Sequence, residues 1–220
     1  MGTEAGDVGI ATCRCFFLTS CTTTGYNFRL FKGKTTIPSI SKLQELIEGA
    51  WRKGFDIQGC EQLGGRLTKT RKWIGATEIV TFFSSFHIRC QLIDFHQPTG
   101  PNGTHPEMFM WVKNYFSKEE DFKVPLYLQH HGHSRTVIGV EEHTDGSLQL
   151  LVFDSSHCKN QMDQFNNTAN LSNAMRLVRR PLSALKARQY QLVAVVGLME
   201  TEQEYEESKV IHSQRIPSEN

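Results

Sequence analysis

The sequence contains no apolar run near the roughly 20 residues needed to span a bilayer, and its N-terminus lacks the charged-then-apolar layout of a secretory leader. Both absences point to an intracellular chain with no membrane partner. Charge of one sign is lacking too: 24 Lys and Arg stand against 23 Asp and Glu. No global field therefore draws nucleic acid or an anionic membrane, and any partner has to be recognised locally. There is no Cys-x-x-Cys pair, no glycine-rich phosphate loop, no heptad run and no repeat at solenoid period. Common zinc fingers, P-loop enzymes, coiled coils and repeat arrays are set aside on that ground. Six cysteines (Cys13, Cys15, Cys21, Cys60, Cys90, Cys158) are irregularly spaced, and in a reducing compartment they read as free thiols. Without a secretory route, the Asn-x-Ser/Thr matches at Asn102, Asn166 and Asn170 are compositional accidents.

What is present suffices for one core: 220 residues, 39% of them hydrophobic, fit a single domain. Residues 1–24 show neither helical nor strand periodicity and read as an aberrant or disordered segment before a domain at 25–200. Residues 201–220 read as a charged, frayed tail. Leu43, Leu46, Ile47, Ala50 and Trp51 recur at helical spacing, with a capping box at Ser41 and Gln44 and a stop at Gly54. Ile79, Phe82, Phe83 and Phe86 predict a second helix beyond Trp73-Ile74-Gly75, and Thr104 with Pro106 opens a third that runs to about Phe116. Strands are expected over 88–95, 124–130, 135–142 and 148–154, the last two joined by a turn carrying Asp145-Gly146. A helix over 174–188 and a strand at Gln191–Leu198 complete an α+β chain.

The richest chemistry lies at 126–139, where three histidines directly precede a strand that has to be buried. A hairpin centred near residue 145 places Asp154 opposite approximately Thr136, which brings a carboxylate beside His133. An imidazole held by an acidic side chain on the next strand is the general-base half of a nucleophilic triad. Gln129 projects towards the same mouth, where its amide could donate to a developing oxyanion. The plainer readings are that His130 and His131 are surface residues and that His133 with Asp154 is structural. Zinc competes through His131, His133, His157 and Cys158, but their spacing matches no common zinc pattern, so no metal is expected.

The run Gln129-His130-His131-Gly132-His133-Ser134-Arg135-Thr136-Val137-Ile138-Gly139 resembles the histidine box of the zinc-finger-containing ubiquitin peptidases of the ZUFSP type, relatives of the UFM-specific proteases. Ile37-Pro38-Ser39-Ile40, Ile47–Trp51, Gly54–Gly59, Trp73–Glu78, Asp94-Phe95-His96 and Thr99–Pro106 resemble the same family in order, over about residues 26–200. The resemblance implies a papain-like cysteine peptidase fold and a thiol-dependent deubiquitinase needing no cofactor. Its implied partners are ubiquitin and polyubiquitin chains, and its implied residence is cytoplasm and nucleus. By the same resemblance His133 is the catalytic histidine, Asp154 the acidic member and Gln129 the oxyanion-hole glutamine. Trp73, Glu78 and Asp56 are implied contacts for the ubiquitin tail, whose arginines and slim glycines suit an acid and an aromatic plate. Alternatively, Trp73 is core and Glu78 a first-turn residue favoured by the helix dipole.

The family carries its cysteine in a motif of the form Gly-Cys-Gly-Tyr-Arg-Asn, ahead of the position of Tyr26, and this sequence has no such motif. None of Cys13, Cys15 and Cys21 is followed by the glycine and helix start that would activate a thiolate. Codons for Gly6 to Leu18, read one base out of phase with allowed synonymous choices, can spell Gly-Cys-Gly-Tyr-Arg-Asn-Leu-Gln-Met-Leu-Leu-Ser. The segment thus reads as a frame error or an inactivating lesion. Two other readings stay open: a non-catalytic ubiquitin-binding module, and a protease for the UFM modifier.

Overall fold

The structure, a computed structural model, describes residues 26, 29–30, 38–118, 123–166 and 171–218. The segment 1–24, with Cys13, Cys15 and Cys21, lies outside them. Helix α1 (Ile40–Arg52) buries Leu43, Ile47, Ala50 and Trp51, one stripe at helical spacing. Its cap is Ser39, whose hydroxyl accepts from the Lys42 N–H at 3.2 Å. The box expected at Ser41 and Gln44 is thereby corrected: the helix starts earlier, which lets Ile40 pack against the core, and Gln44 is itself buried. Gly54, at φ +91°, ends the helix region as expected.

A short helix, α2 (Ile57–Gln62), occupies a stretch with no apolar period. Helix α3 (Ala76–Ser84) buries Ile79, Phe82 and Phe83 completely, a contribution of about 2 kcal/mol for each large side chain. Strand β1 (Ile88–Phe95) and helix α4 (Pro106–Phe116) follow as the sequence predicts, with Pro106 in the first turn where its missing N–H is harmless. Next come β2 (Leu126–His130), β3 (His133–Glu142) and β4 (Leu148–Asp154). The chain continues through α5 (Lys159–Met162), α6 (Leu171–Val178), β5 (Arg179–Pro181) and β6 (Tyr190–Leu198). It closes with α7 (Glu202–Glu207) and β7 (Ser213–Ile216).

Among the described residues seven strands form one sheet in the order β5-β4-β3-β2-β6-β1-β7, antiparallel except for the β1–β7 pair. Alternation along each strand divides the core in two. Leu92, Tyr127 and Val193 face α1 and α3, while Ile93, Leu128 and Leu192 join Met108, Phe109 and Val112 of α4. The architecture is α+β and papain-like, with helices against a mainly antiparallel sheet. Among the described residues no helix is long and apolar enough to cross a membrane.

Three expectations are corrected. The helix expected over 174–188 stops at Val178, because Pro181 lacks an N–H and biases Arg180 to extended backbone, so Arg179–Pro181 pairs with β4 instead. The frayed tail is instead ordered over Thr201–Ile216: Thr201 Oγ1 accepts from the Glu204 N–H at 3.2 Å to cap α7, and β7 lies beside Leu92–Phe95. The β3–β4 hairpin keeps its expected register from Glu142↔Leu148 to Gly139↔Leu151, and then a bulge between Val137 and Gly139 shifts it by one residue. Asp154 therefore stands opposite Arg135, and Thr136 faces Phe153.

Candidate active site

The β2–β3 connection is only His131-Gly132, and Gly132 takes φ +79°, a conformation strained for any residue with a β-carbon. That tight turn makes His133 the first residue of β3 and places it opposite His130. On the same face of the sheet, His133 Nε2 lies 2.9 Å from Asp154 Oδ1. The Asp154 side chain is 4% exposed and that of His133 20%, so the carboxylate is enclosed while the imidazole reaches the surface of a cleft. With Nε2 donating to the carboxylate, Nδ1 is the nitrogen left to take a proton.

Asp154 is heavily supplied with donors. Oδ1 also accepts from Ser156 N at 3.0 Å and Ser156 Oγ at 2.7 Å, and Oδ2 accepts from Arg135 Nε at 2.8 Å. Burial alone would raise its carboxyl, but the bonds from His133 and Ser156 outweigh that and hold it far below the usual carboxylate range. His130 is half-buried, a correction to its expected surface position. Burial lowers its imidazole, and the positive charge of Arg135 and neighbouring His133 add to the effect. His131 is exposed, as a surface residue should be.

A cleft of about 430 Å³ opens beside this pair, its walls including Trp73, Gly75, Glu78, Gln129, His131 and His133. Gln129 Oε1 accepts from the Tyr127 hydroxyl at 3.2 Å, so the amide NH2 is the end free of that bond. Glu78 turns its carboxylate inward: Oε2 accepts from Gly75 N at 2.5 Å and Oε1 from Thr77 Oγ1 at 3.0 Å. It therefore serves as a first-turn cap of α3, and burial raises its pKa against the lowering effect of those bonds. Trp73 is 41% exposed on the cleft wall and not in the core. Asp56 is buried as the N-cap of α2 with φ +45°, and its charge adds to the upward push on the Glu78 carboxyl. It accepts from Gly59 N at 3.1 Å and from Thr81 Oγ1 at 3.4 Å, and it is not part of the cleft wall.

The structure thus brings together His133, Asp154, Gln129, Trp73 and Glu78, with Asp56 outside the cleft wall but near enough to act on Glu78 by charge. Sequence reasoning missed Arg135, Ser156, Arg180 and Tyr127. Arg135 was accessible in principle, being two residues from His133 and so on the same strand face. Arg180 gave no signal, since the strand that carries it was read as helix. Among the described residues no group of three or more His, Cys, Asp or Glu is placed to hold a metal. Cys158 caps α5, and the His157 N–H donates to the Asp154 carbonyl at 3.1 Å.

Comparison with known proteins bears on the same residues. The chain is 42% identical over 192 residues to the mouse (Mus musculus) protein named Zinc finger-containing ubiquitin peptidase 1, covering 82% of this chain and 33% of that protein. The human (Homo sapiens) protein of that name is 40% identical over 192 residues, with the same coverage. The fission yeast (Schizosaccharomyces pombe) protein named Ubiquitin carboxyl-terminal hydrolase mug105 is 34% identical over 157 residues, covering 70% of this chain and 60% of that protein. The chain spans about a third of the length of its mammalian relatives. The profile described as Peptidase family C78 matches residues 17–193. Since that span takes in every residue of the cleft as well as most of the sheet, the chain belongs to peptidase family C78.

Proposed function

We propose that this domain binds the C-terminal tail of ubiquitin and carries the machinery of a cysteine-type deubiquitinase, with a nucleophile segment that is defective in this chain. The observation that carries the reading is the 2.9 Å contact of His133 Nε2 with buried Asp154, at the edge of a cleft shared with Gln129 and Trp73. In that reading Asp154 fixes the tautomer, Nδ1 of His133 takes the thiol proton, and the Gln129 amide donates to the oxyanion. Trp73 supplies a flat wall for the glycines of the tail, and Glu78 shapes the helix start beside them. The relatives' names, which say ubiquitin peptidase and ubiquitin hydrolase, favour ubiquitin or its chains as the substrate over the UFM modifier.

The sequence lacks the Gly-Cys-Gly-Tyr-Arg-Asn motif, which favours a second reading as a ubiquitin-binding module without turnover. A ubiquitin probe with a C-terminal electrophile separates the two. Covalent capture supports the enzyme, reversible binding alone supports the module, and binding of neither ubiquitin nor diubiquitin sinks both. The frame-error reading of residues 6–18 is settled by the coding DNA, where absence of the shifted string removes it. Replacing that segment by the shifted reading is expected to restore covalent capture. Cytoplasmic and nuclear residence belongs to the same proposal and is checked by fractionation.

A further inference from the structure

Asp154 accepts more than a dyad needs. Besides His133, its Oδ2 is held by Arg135 Nε at 2.8 Å, and an Arg180 guanidinium nitrogen stands 3.9 Å from the same oxygen. The side chains of these arginines are 17% and 19% exposed, so both charges are largely withdrawn from water around a carboxylate that is 4% exposed. Arg135 occupies this place because of the bulge between Val137 and Gly139, which moves it opposite Asp154. Arg180 occupies its place because Pro181 turns the chain into the edge strand β5.

A carboxylate rotates in a broad well about its last torsion, and the imidazole and both Ser156 donors all meet Oδ1, so they hold that oxygen without tying down the other. A second oxygen held by a charged donor on the neighbouring strand does, and such bonds are about twice as strong as neutral ones. We propose that Arg135, backed by Arg180, is a positioning residue for His133, because holding Oδ2 fixes the carboxylate plane and keeps Oδ1 on the imidazole Nε2–H. The ring is then fixed with Nδ1 as its bare nitrogen. The other polar groups around the ring do not replace this hold. His130 on β2 is another imidazole, with ring centroids 5.7 Å apart, and Glu78 across the cleft is committed to Gly75 and Thr77. The inference rests on His133 being the general base proposed above.

The test uses the chain as it stands, labelled with nitrogen-15 at histidine, and follows solvent exchange of the His133 Nε2–H by NMR. Arg135→Met is expected to speed that exchange about tenfold, the loss of roughly one charge-assisted bond, and Arg135→Lys to restore much of the protection. Unchanged exchange in Arg135→Met with a native amide spectrum overturns the proposal. Should Arg135→Met lose the native spectrum, Arg180→Met decides: faster exchange supports the clamp, and unchanged exchange overturns it. The measurement needs no substrate, so its failure is read separately from a failure to bind ubiquitin, which would sink the functional reading on which the role of His133 rests.

Discussion

Gly75 lies so close to the Gln129 side chain that a β-carbon on it would stand 2.9 Å from Nε2 and 3.0 Å from Oε1. The glycine opens α3 with φ −128°, a conformation open to any residue, so contact with Gln129 and not backbone freedom requires it. Gly75→Ala is expected to leave the fold intact and displace the amide from the cleft. In a chain with the nucleophile segment restored, steady-state cleavage of diubiquitin should fall about 10²-fold in kcat, the usual loss for an oxyanion donor. Full activity in that variant would remove Gln129 from the proposed role.

Asp154→Asn should be destabilising by about 3 kcal/mol near neutral pH, since Arg135 and Arg180 lose the carboxylate that compensates them. The folded carboxyl titrates below its unfolded value, so its contribution is present above about pH 4 and fades as the pH falls further. Urea unfolding of both proteins checks this: their difference should be constant from neutral pH to about pH 5 and shrink below about pH 4.

Glu78 carries the opposite sign. Its folded pKa lies above the unfolded value, so its relative contribution is complete below about pH 4 and is lost as the pH rises through the folded value. Glu78→Gln retains an acceptor for the Gly75 N–H and has no charge to bury. The stability difference should move in favour of glutamine between acid and neutral pH, read from thermal unfolding across that range. A difference independent of pH would contradict the burial of the carboxylate.

The ordered C-terminal segment depends on Tyr205, which stacks on His87 with ring centroids 4.0 Å apart and meets Phe55 edge-on at 5.2 Å. Tyr205→Ala should lower stability by about 2 kcal/mol and release β7 first. Hydrogen exchange checks the order: those amides of Leu92–Phe95 that point towards β7 should lose protection, while their neighbours that point towards β6, and those of Tyr127 and Leu128 at the sheet centre, keep it.

The long apolar periods were legible in the sequence. Leu43 to Trp51, Ile79 to Phe83 and the alternation of β3 and β4 each contain several side chains that have to leave water together, so their patterns repeat. Single-residue effects were not. The bulge after Val137 costs one residue of register and leaves no mark in composition, so Asp154 was placed one position away from Arg135. Pro181 was the warning that the helix after Ala174 had to end, yet the apolar residues beyond it kept the period going. Asp56 illustrates a further limit: its role as the cap of α2 was not legible, because that short helix has no periodic signal of its own.

Among the described residues, the two margins of the sheet are both unsuited to receiving another strand. One margin is Arg179-Arg180-Pro181, three residues long with two cations and an imide nitrogen that has no hydrogen to donate. The other is Ser213–Ile216, four residues followed at once by Pro217. Between them lie β-strands of up to ten residues whose backbone groups are paired within the sheet. Short, charged or proline-stopped margins discourage an extended chain from adding to the edges of a sheet. On the function proposed above, tail recognition is thereby left to the cleft between Trp73 and His133, and two copies meeting edge to edge find no ladder to continue.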